Sequence, residues 1–355
     1  MIVKATLITE TSMRLAAIAL IGFLWSDPAT GATRNVPAEY PTIQAALVAS
    51  ESGDIVLVSQ GTYFENLTLG PAANGVTLIS QSGPLLTVLD GGGAGSVITM
   101  MSVGSGTRVE GFTIRNGGGT FVLGAGVAVL DGSPSIIGNI ITDNVGYAGS
   151  GLFVDHAAPM IVNNTIRNNS CPPGSGGGVY YDHSSTGVLE GNVIVGNSCG
   201  DFGGGVAVFM GSSPQIVSNT IVDNEAGRDG AGVFVTDFSN LSIAKNIIAD
   251  HASGSGLVLQ HSGSTILLSC NNLWANAPAN YSGLTDPTGA SGNTALDPLF
   301  CDAAALDFHI NATSPCAPNQ TDPTCDLVGA LGVNCSPPTP AVSVTWGRVK
   351  ADYRK

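Results

Sequence analysis

Short runs of β-branched residues, broken by glycine, asparagine and Ser-Pro turns, fill the chain from about residue 108 to 278, and one pattern returns six times. It reads Gly-small-Gly followed by apolar-x-apolar, at Gly124 to Val129, Gly149 to Val154, Gly176 to Tyr181, Gly203 to Val208, Gly230 to Val235 and Gly254 to Leu259. Successive first glycines lie 25, 27, 27, 27 and 24 residues apart. A second motif, Asn-x-apolar, keeps the same step at Asn139, Asn164, Asn192, Asn219, Asn246 and Asn271. Two motifs holding one period over six copies identify a repeat architecture. Within each repeat the apolar positions alternate and never follow a 3.6-residue period, so the elements are strands.

A repeat of this length built from short strands is one turn of a parallel β-solenoid, in which equivalent residues stack about 4.8 Å apart along the axis. The fold class expected is therefore all-β. The recurring asparagines then form a column whose amides hydrogen-bond from coil to coil. A second column lies five residues further on, at Asn144, Asn169, Asn197, Asn224 and Asn276, with His251 interrupting it. Cys171 and Cys199 each follow a second-column asparagine by two residues, so they share a place on adjacent coils. One coil rise lies within the Cα separation a disulfide tolerates, and a Cys171–Cys199 bridge is expected. Cys301, Cys316, Cys325 and Cys335 lie beyond the repeat and allow three pairings, of which the sequential one, 301 with 316 and 325 with 335, is preferred. Cys270 is left as a buried free thiol.

Composition narrows the function classes. Charged residues are only 11% of the 355, and 12 Lys and Arg against 26 Asp and Glu leave a net charge of −14. Four of the basic residues, Arg348, Lys350, Arg354 and Lys355, sit in the final stretch. Nucleic acid is excluded as a partner of the body, since phosphate neutralisation needs a basic surface. A polyanion would be repelled unless a divalent cation, with Ca²⁺ the candidate, bridged the charges. Residues 1–32 read as a signal peptide: Leu15 to Trp25 is an apolar run preceded by Arg14, followed by the small residues Ala29 to Ala32, with Met13 as an alternative start. That run is too short for a membrane span. The chain is thus expected outside the cell or on its surface, as a monomer. Seven cysteines suit that compartment, and no CxxC is present to suggest a zinc knuckle or redox site.

Four mature segments follow: an N-terminal cap and first coils (33–107), repeats of about 27 residues (108–278), a last coil with a disulfide-bearing C-terminal cap (279–335), and a Pro-rich linker with a basic tail (336–355). The opening Val36 to Leu47, then Gly53 to Val58 and Gly61 to Asn66, resembles the cap and first strands of the right-handed parallel β-helix (pectin lyase-like) superfamily. The closing Asp297 to Phe300, Asp307 to Ile310 and Gly329 to Gly332 resemble the end of its exported bacterial members. The resemblance covers nearly all of residues 35 to 332 and implies a single-stranded right-handed parallel β-helix with a short N-terminal capping helix. In that cap Pro41 opens a helix that buries Ile43, Ala46 and Leu47. The resemblance does not carry an activity. The Gln-Asp-Thr-Leu, Asp-Phe-Ile-Phe-Gly and Leu-Gly-Arg-Pro-Trp motifs of pectin methylesterases have no counterpart, nor has the Arg-x-Pro-x-x-Arg segment of pectate lyases. Only Asp155-His156 and Asp182-His183 match the Asp-His of the lyase signature.

Strand alternation also sorts the outer face. It sends Val127/Val129, Leu152/Val154, Val179/Tyr181, Val206/Val208, Val233/Val235 and Leu257/Leu259 inward. The first outward column reads Ala128, Phe153, Tyr180, Ala207, Phe234, Val258, and the next Leu130, Asp155, Asp182, Phe209, Thr236, Gln260. The turn position after it reads Asp131, His156, His183, Met210, Asp237, His261. Phe153, Tyr180, Phe209 and Phe234 are the candidate ligand-binding rings of a solvent-facing carbohydrate strip, flanked by Asp155, Asp182, His156 and His183. The alternative is that these rings stabilise the sheet by stacking from coil to coil. The candidate catalytic residues are Asp155, Asp182, His156 and His183: the two aspartates on adjacent coils would form an acid beside a base for a glycosidase, or His183 with a tyrosine would serve a lyase. A surface polysaccharide or cell-surface glycan is the expected partner. The remaining readings are a polysaccharide-cleaving enzyme and a structural or adhesive solenoid. Asp201, Glu225 and Asp229 form a second acidic group that could take Ca²⁺.

Overall fold

The computed structural model describes residues 31–261 and 263–335; all but the last two residues of the expected signal peptide, and the tail from 336, lie outside the described residues. Almost every element is a strand of two to five residues, and most of the strands form three long parallel sheets of 10, 9 and 9 members. Each coil contributes one strand to each sheet. In the coil that begins at Gly149, Leu152–Asp155, Met160–Val162 and Thr165–Arg167 follow one another. The register carries each motif onto its copy: Val127 pairs with Leu152, Leu152 with Val179, Val179 with Val206, Val206 with Val233 and Val233 with Leu257.

Three single-residue bends turn the chain around each coil. The residue before each ladder asparagine is left-handed, as at Asn163 (φ 55°) and Asn168 (φ 52°), and so is the turn residue after the outward pair of the motif, as at His156 (φ 48°). These conformations are uncommon for residues with a Cβ, although asparagine, aspartate and histidine adopt them several-fold more readily than others. The bends need fixing from inside, and the asparagines do it. Asn192 donates from its backbone N to Asn219 Oδ1 (2.9 Å), and from Nδ2 to the same oxygen (3.0 Å) and to the Ile161 carbonyl (2.8 Å). The first column runs this way throughout and the second as far as Asn224, where His251 takes the next place; each is closed at its C-terminal end by a further asparagine, Asn293 for the first and Asn280 for the second.

The motif's second glycine has a steric reason. A Cβ at Gly151 would meet the Gly178 carbonyl oxygen and the Asn169 amide, so only glycine leaves room for the second column. The inward residues, among them Leu152, Val154, Ile161, Ile166, Val179 and Tyr181, fill the lumen with no exposure. The N-terminal end is plugged by the helix Ile43–Val48, which buries Ile43, Ala46 and Leu47. Thr42 rather than Pro41 opens it, its hydroxyl accepting from Ala45 N (3.1 Å), while the Glu65 carboxylate accepts from Ile43 N and Gln44 N.

The cysteines pair differently from expectation. The bridges are Cys270–Cys325 and Cys301–Cys335, whereas Cys171, Cys199 and Cys316 are buried thiols. Cys171 and Cys199 do stand opposite each other in register, yet they remain unbonded. The sequential pairing fails because residues 300–335 do not close a last coil of their own. They fold back along the outer face of the sheet that holds Val193–Val195, Thr220–Val222 and Ile247–Ala249. Phe308 packs on Val193, Val195 and Val222, and Cys325 packs with Ile247 and Ala249. Ala330 N donates to Thr220 Oγ1 (2.9 Å), 110 residues upstream, and Gly329 N to the Lys245 carbonyl (2.8 Å). That route brings Cys325 to Cys270, which thereby loses the free thiol foreseen for it. Among the described residues no helix is long and apolar enough to cross a membrane.

Candidate functional site

The motif strands Leu152–Asp155 and Val179–Asp182 lie in register, so Phe153 faces Tyr180 and Asp155 faces Asp182 across one coil rise. Four aromatic rings stack up the outer side of this sheet. Phe153 to Tyr180 is 5.6 Å between centroids, Tyr180 to Phe209 is 5.1 Å and Phe209 to Phe234 is 5.5 Å. Ala207 leaves a gap at the first outward position of its coil, and the ring of Phe209, two residues on, stacks between its neighbours.

The strip is not open to solvent along its length, and this corrects the expectation. Phe153 and Phe234 are 3% and 1% exposed, while Tyr180 and Phe209 are half-buried. Alternation places these side chains outside the lumen, but the motif's own loop folds over them. Gly149 is left-handed (φ 56°), and a Cβ there would lie 2.9 Å from the Cβ of Phe153. Phe202, just before Gly203, adds a ring that the sequence reading missed: it stacks on Phe234 at 4.4 Å, under the guanidinium of Arg228. Its signal was the position, immediately ahead of a motif glycine. The rings Phe153 and Phe234 therefore serve coil-to-coil packing, and Tyr180 and Phe209 alone of the four offer partial faces.

The polar residues converge. His156 and His183, at the left-handed bends (φ 48° and 45°), stack with centroids 4.9 Å apart and planes 7° from parallel. Their Nδ1 atoms lie 3.0 Å and 2.8 Å from one oxygen, Asp155 Oδ1, and His183 Nδ1 lies 3.3 Å from Asp182 Oδ2. A carboxylate only accepts, so both rings present a proton on Nδ1. Both imidazoles are exposed, Asp155 is half-buried and Asp182 is buried. Burial pushes the Asp182 carboxyl above the ordinary range, with Asp155 adding to the rise and His183 opposing it. Burial likewise raises the Tyr180 phenol, reinforced by Asp182. Exposed Met210 continues the bend column beside the histidines.

The acidic loop group is largely engaged. Asp201 pairs with Arg228 (2.9 Å), and Asp229 Oδ1 accepts from Gly230 N and Ser255 N. The other ion-paired arginines are also committed elsewhere: Arg34 to Asp54, Arg108 to Glu110 and Arg115 to Asp90.

The family model described as right handed beta helix region matches residues 54–221 and 200–295. Among solved structures, a pectate lyase, Pel9A, superposes with a TM-score of 0.53 at 13% identity, covering 82% of this chain and 90% of that one. A pectin methylesterase from Aspergillus niger gives 0.47 at 16% identity, covering 77% and 92%. At such identity the likeness concerns the fold alone. No curated protein matches the chain.

Proposed function

From the premise that this chain belongs to the right-handed β-helix family, we propose that it is an exported glycan-binding protein. Its binding ridge is the bend formed by Asp155, His156, Asp182 and His183, bordered by the half-exposed rings of Tyr180 and Phe209. The carrying observation is the convergence of two imidazoles on two carboxylates of adjacent coils, next to partial aromatic faces. Carboxylates and imidazoles are the partners sugar hydroxyls need, and ring faces suit the apolar side of a pyranose. The two bridges Cys270–Cys325 and Cys301–Cys335 support an oxidising, extracellular setting. With Arg34, Arg108, Arg115 and Arg228 paired elsewhere and a net charge of −14, the glycan is neutral or weakly charged rather than a polyuronate.

A glycan array probed with the folded chain tests this reading. The expected result is a hit on neutral polysaccharide that Asp155→Ala and Tyr180→Ala each weaken at unchanged folding. Silence across neutral and acidic glycans would remove the proposal. A second reading, a polysaccharide-cleaving enzyme, is favoured by the raised Asp182 carboxyl set against Asp155 with His183 between them. Release of reducing ends, or of unsaturated product, abolished by Asp182→Asn would establish it.

A further inference from the structure

We propose that Asp155, His156 and His183 form a binding site for a divalent transition-metal ion of the zinc class. One atom from each of the three residues lies within 4.8 Å of the other two. These donors do not merely share a surface. Both Nδ1 atoms lie against the same Asp155 oxygen, at 3.0 Å and 2.8 Å, while Asp182 Oδ2 lies 3.3 Å from His183 Nδ1, outside that group of three.

A zinc ion bound at about 2.0–2.1 Å to nitrogen and 2.0–2.2 Å to oxygen requires donors a little over 3 Å apart. The two imidazole–carboxylate spacings need to open by only a few tenths of an ångström. The proton balance is simple: each neutral ring moves its proton from Nδ1 to Nε2, and the freed lone pair takes the ion. Two coils in register hold the donors, and the stacked, nearly parallel rings present their Nδ1 atoms on one side.

The donor set selects the ion. Two imidazoles and one carboxylate suit zinc, copper or nickel. Calcium takes six to eight oxygens, and this ridge does not supply them, so the Ca²⁺ foreseen from the sequence does not fit here. Three protein donors on an exposed ridge also leave a coordination position for water or a ligand oxygen. The sequence supports a specific feature: of the six copies of the bend, only adjacent coils 149 and 176 carry a histidine pair, and the same two carry the aspartate pair before it. The site does not rest on the glycan reading.

The test is equilibrium dialysis of the tag-free full chain against Zn²⁺, with Ca²⁺ and Mg²⁺ as competitors and no glycan present. One zinc per chain is expected, retained in excess Ca²⁺. It should be lost in the double variant His156→Gln/His183→Gln and weakened by Asp155→Asn. His261→Gln, in the same column but without a carboxylate partner on the preceding residue, should retain it. Unchanged far-ultraviolet circular dichroism controls for folding, and Co²⁺ absorption in the wild type reads the nitrogen-containing geometry directly. Absence of saturable zinc, zinc retained by the double variant, or displacement by Ca²⁺ at parity would each overturn the site.

Discussion

Replacing His251 with asparagine should stabilise the protein, and increasingly so in acid. His251 occupies an asparagine position of the second column and has no exposure. Its Nδ1 accepts from Asn224 N (3.0 Å), but Nε2 has no partner, and Asn224 Nδ2 keeps only the Ile194 carbonyl. Its neighbour Asn197 donates to both a carbonyl and the next asparagine. An asparagine at 251 restores two buried bonds, worth about 1 kcal/mol each at neutral pH. Burial also pushes the His251 imidazole from 6.5 down to about 3. In that interval the unfolded chain binds a proton that the folded chain refuses, so wild-type stability falls as pH falls through it. Each pH unit below about 6.5 costs roughly 1.4 kcal/mol, or on the order of 3 kcal/mol by about pH 4. Guanidinium unfolding of wild type and His251→Asn at several pH values isolates this effect, because the carboxylates common to both cancel in the difference. The gap should be modest at neutral pH and widen steadily below about 6.5. Parallel profiles would refute the reasoning, since they would mean that the imidazole accepts its proton inside the fold.

Other expectations follow from the same contacts. Asn219→Ala strands Asn192 N and the Leu189 carbonyl in the core, and should cost on the order of 3 kcal/mol in denaturant titration, whereas exposed Gln215→Ala should cost little. Alkylation of the unfolded, unreduced chain should label three thiols, Cys171, Cys199 and Cys316, and leave the bridges intact. In the folded protein Cys171 should resist alkylation at neutral pH, because its contact with Cys199 and its burial hold the thiol protonated. Phe153→Ala removes a buried ring from the stack and should cost about 3–5 kcal/mol of stability, and so act through folding rather than through a lost ligand contact.

The coil, its period, both asparagine columns, the inward residues and the face of the capping helix were legible because they rest on strictly local rules repeated many times. Cys171 and Cys199 were correctly placed opposite each other for the same reason, but register alone did not decide whether they bond. What escaped was non-local. Cys325 reaches Cys270 only because residues 300–335 run back along the solenoid. A signal for that route did exist: the outward positions Val193, Val195, Val222, Ile247 and Ala249 are apolar on a sheet whose earlier copies carry Arg115 and Arg167 there. Alternation likewise assigned Phe153 and Phe234 to the outer side, which says nothing about the loop that roofs them. Of the candidate site, the neighbourhood of Asp155 and Asp182 followed from the period. The turn that carries His156 and His183 was read from the period as well, but not its left-handed conformation nor the convergence of both imidazoles on one oxygen.

The returning segment changes how the molecule would bear load. A solenoid pulled at its last coil would be expected to peel one turn at a time, like tape from a roll. Here a chain drawn from its C-terminal side first meets the Cys301–Cys335 bridge and with it an arm fastened at Lys245 and Thr220 and riveted at Cys270. Tension therefore enters the middle of the stack and is shared by several turns at once, so the rod would yield abruptly rather than unravel.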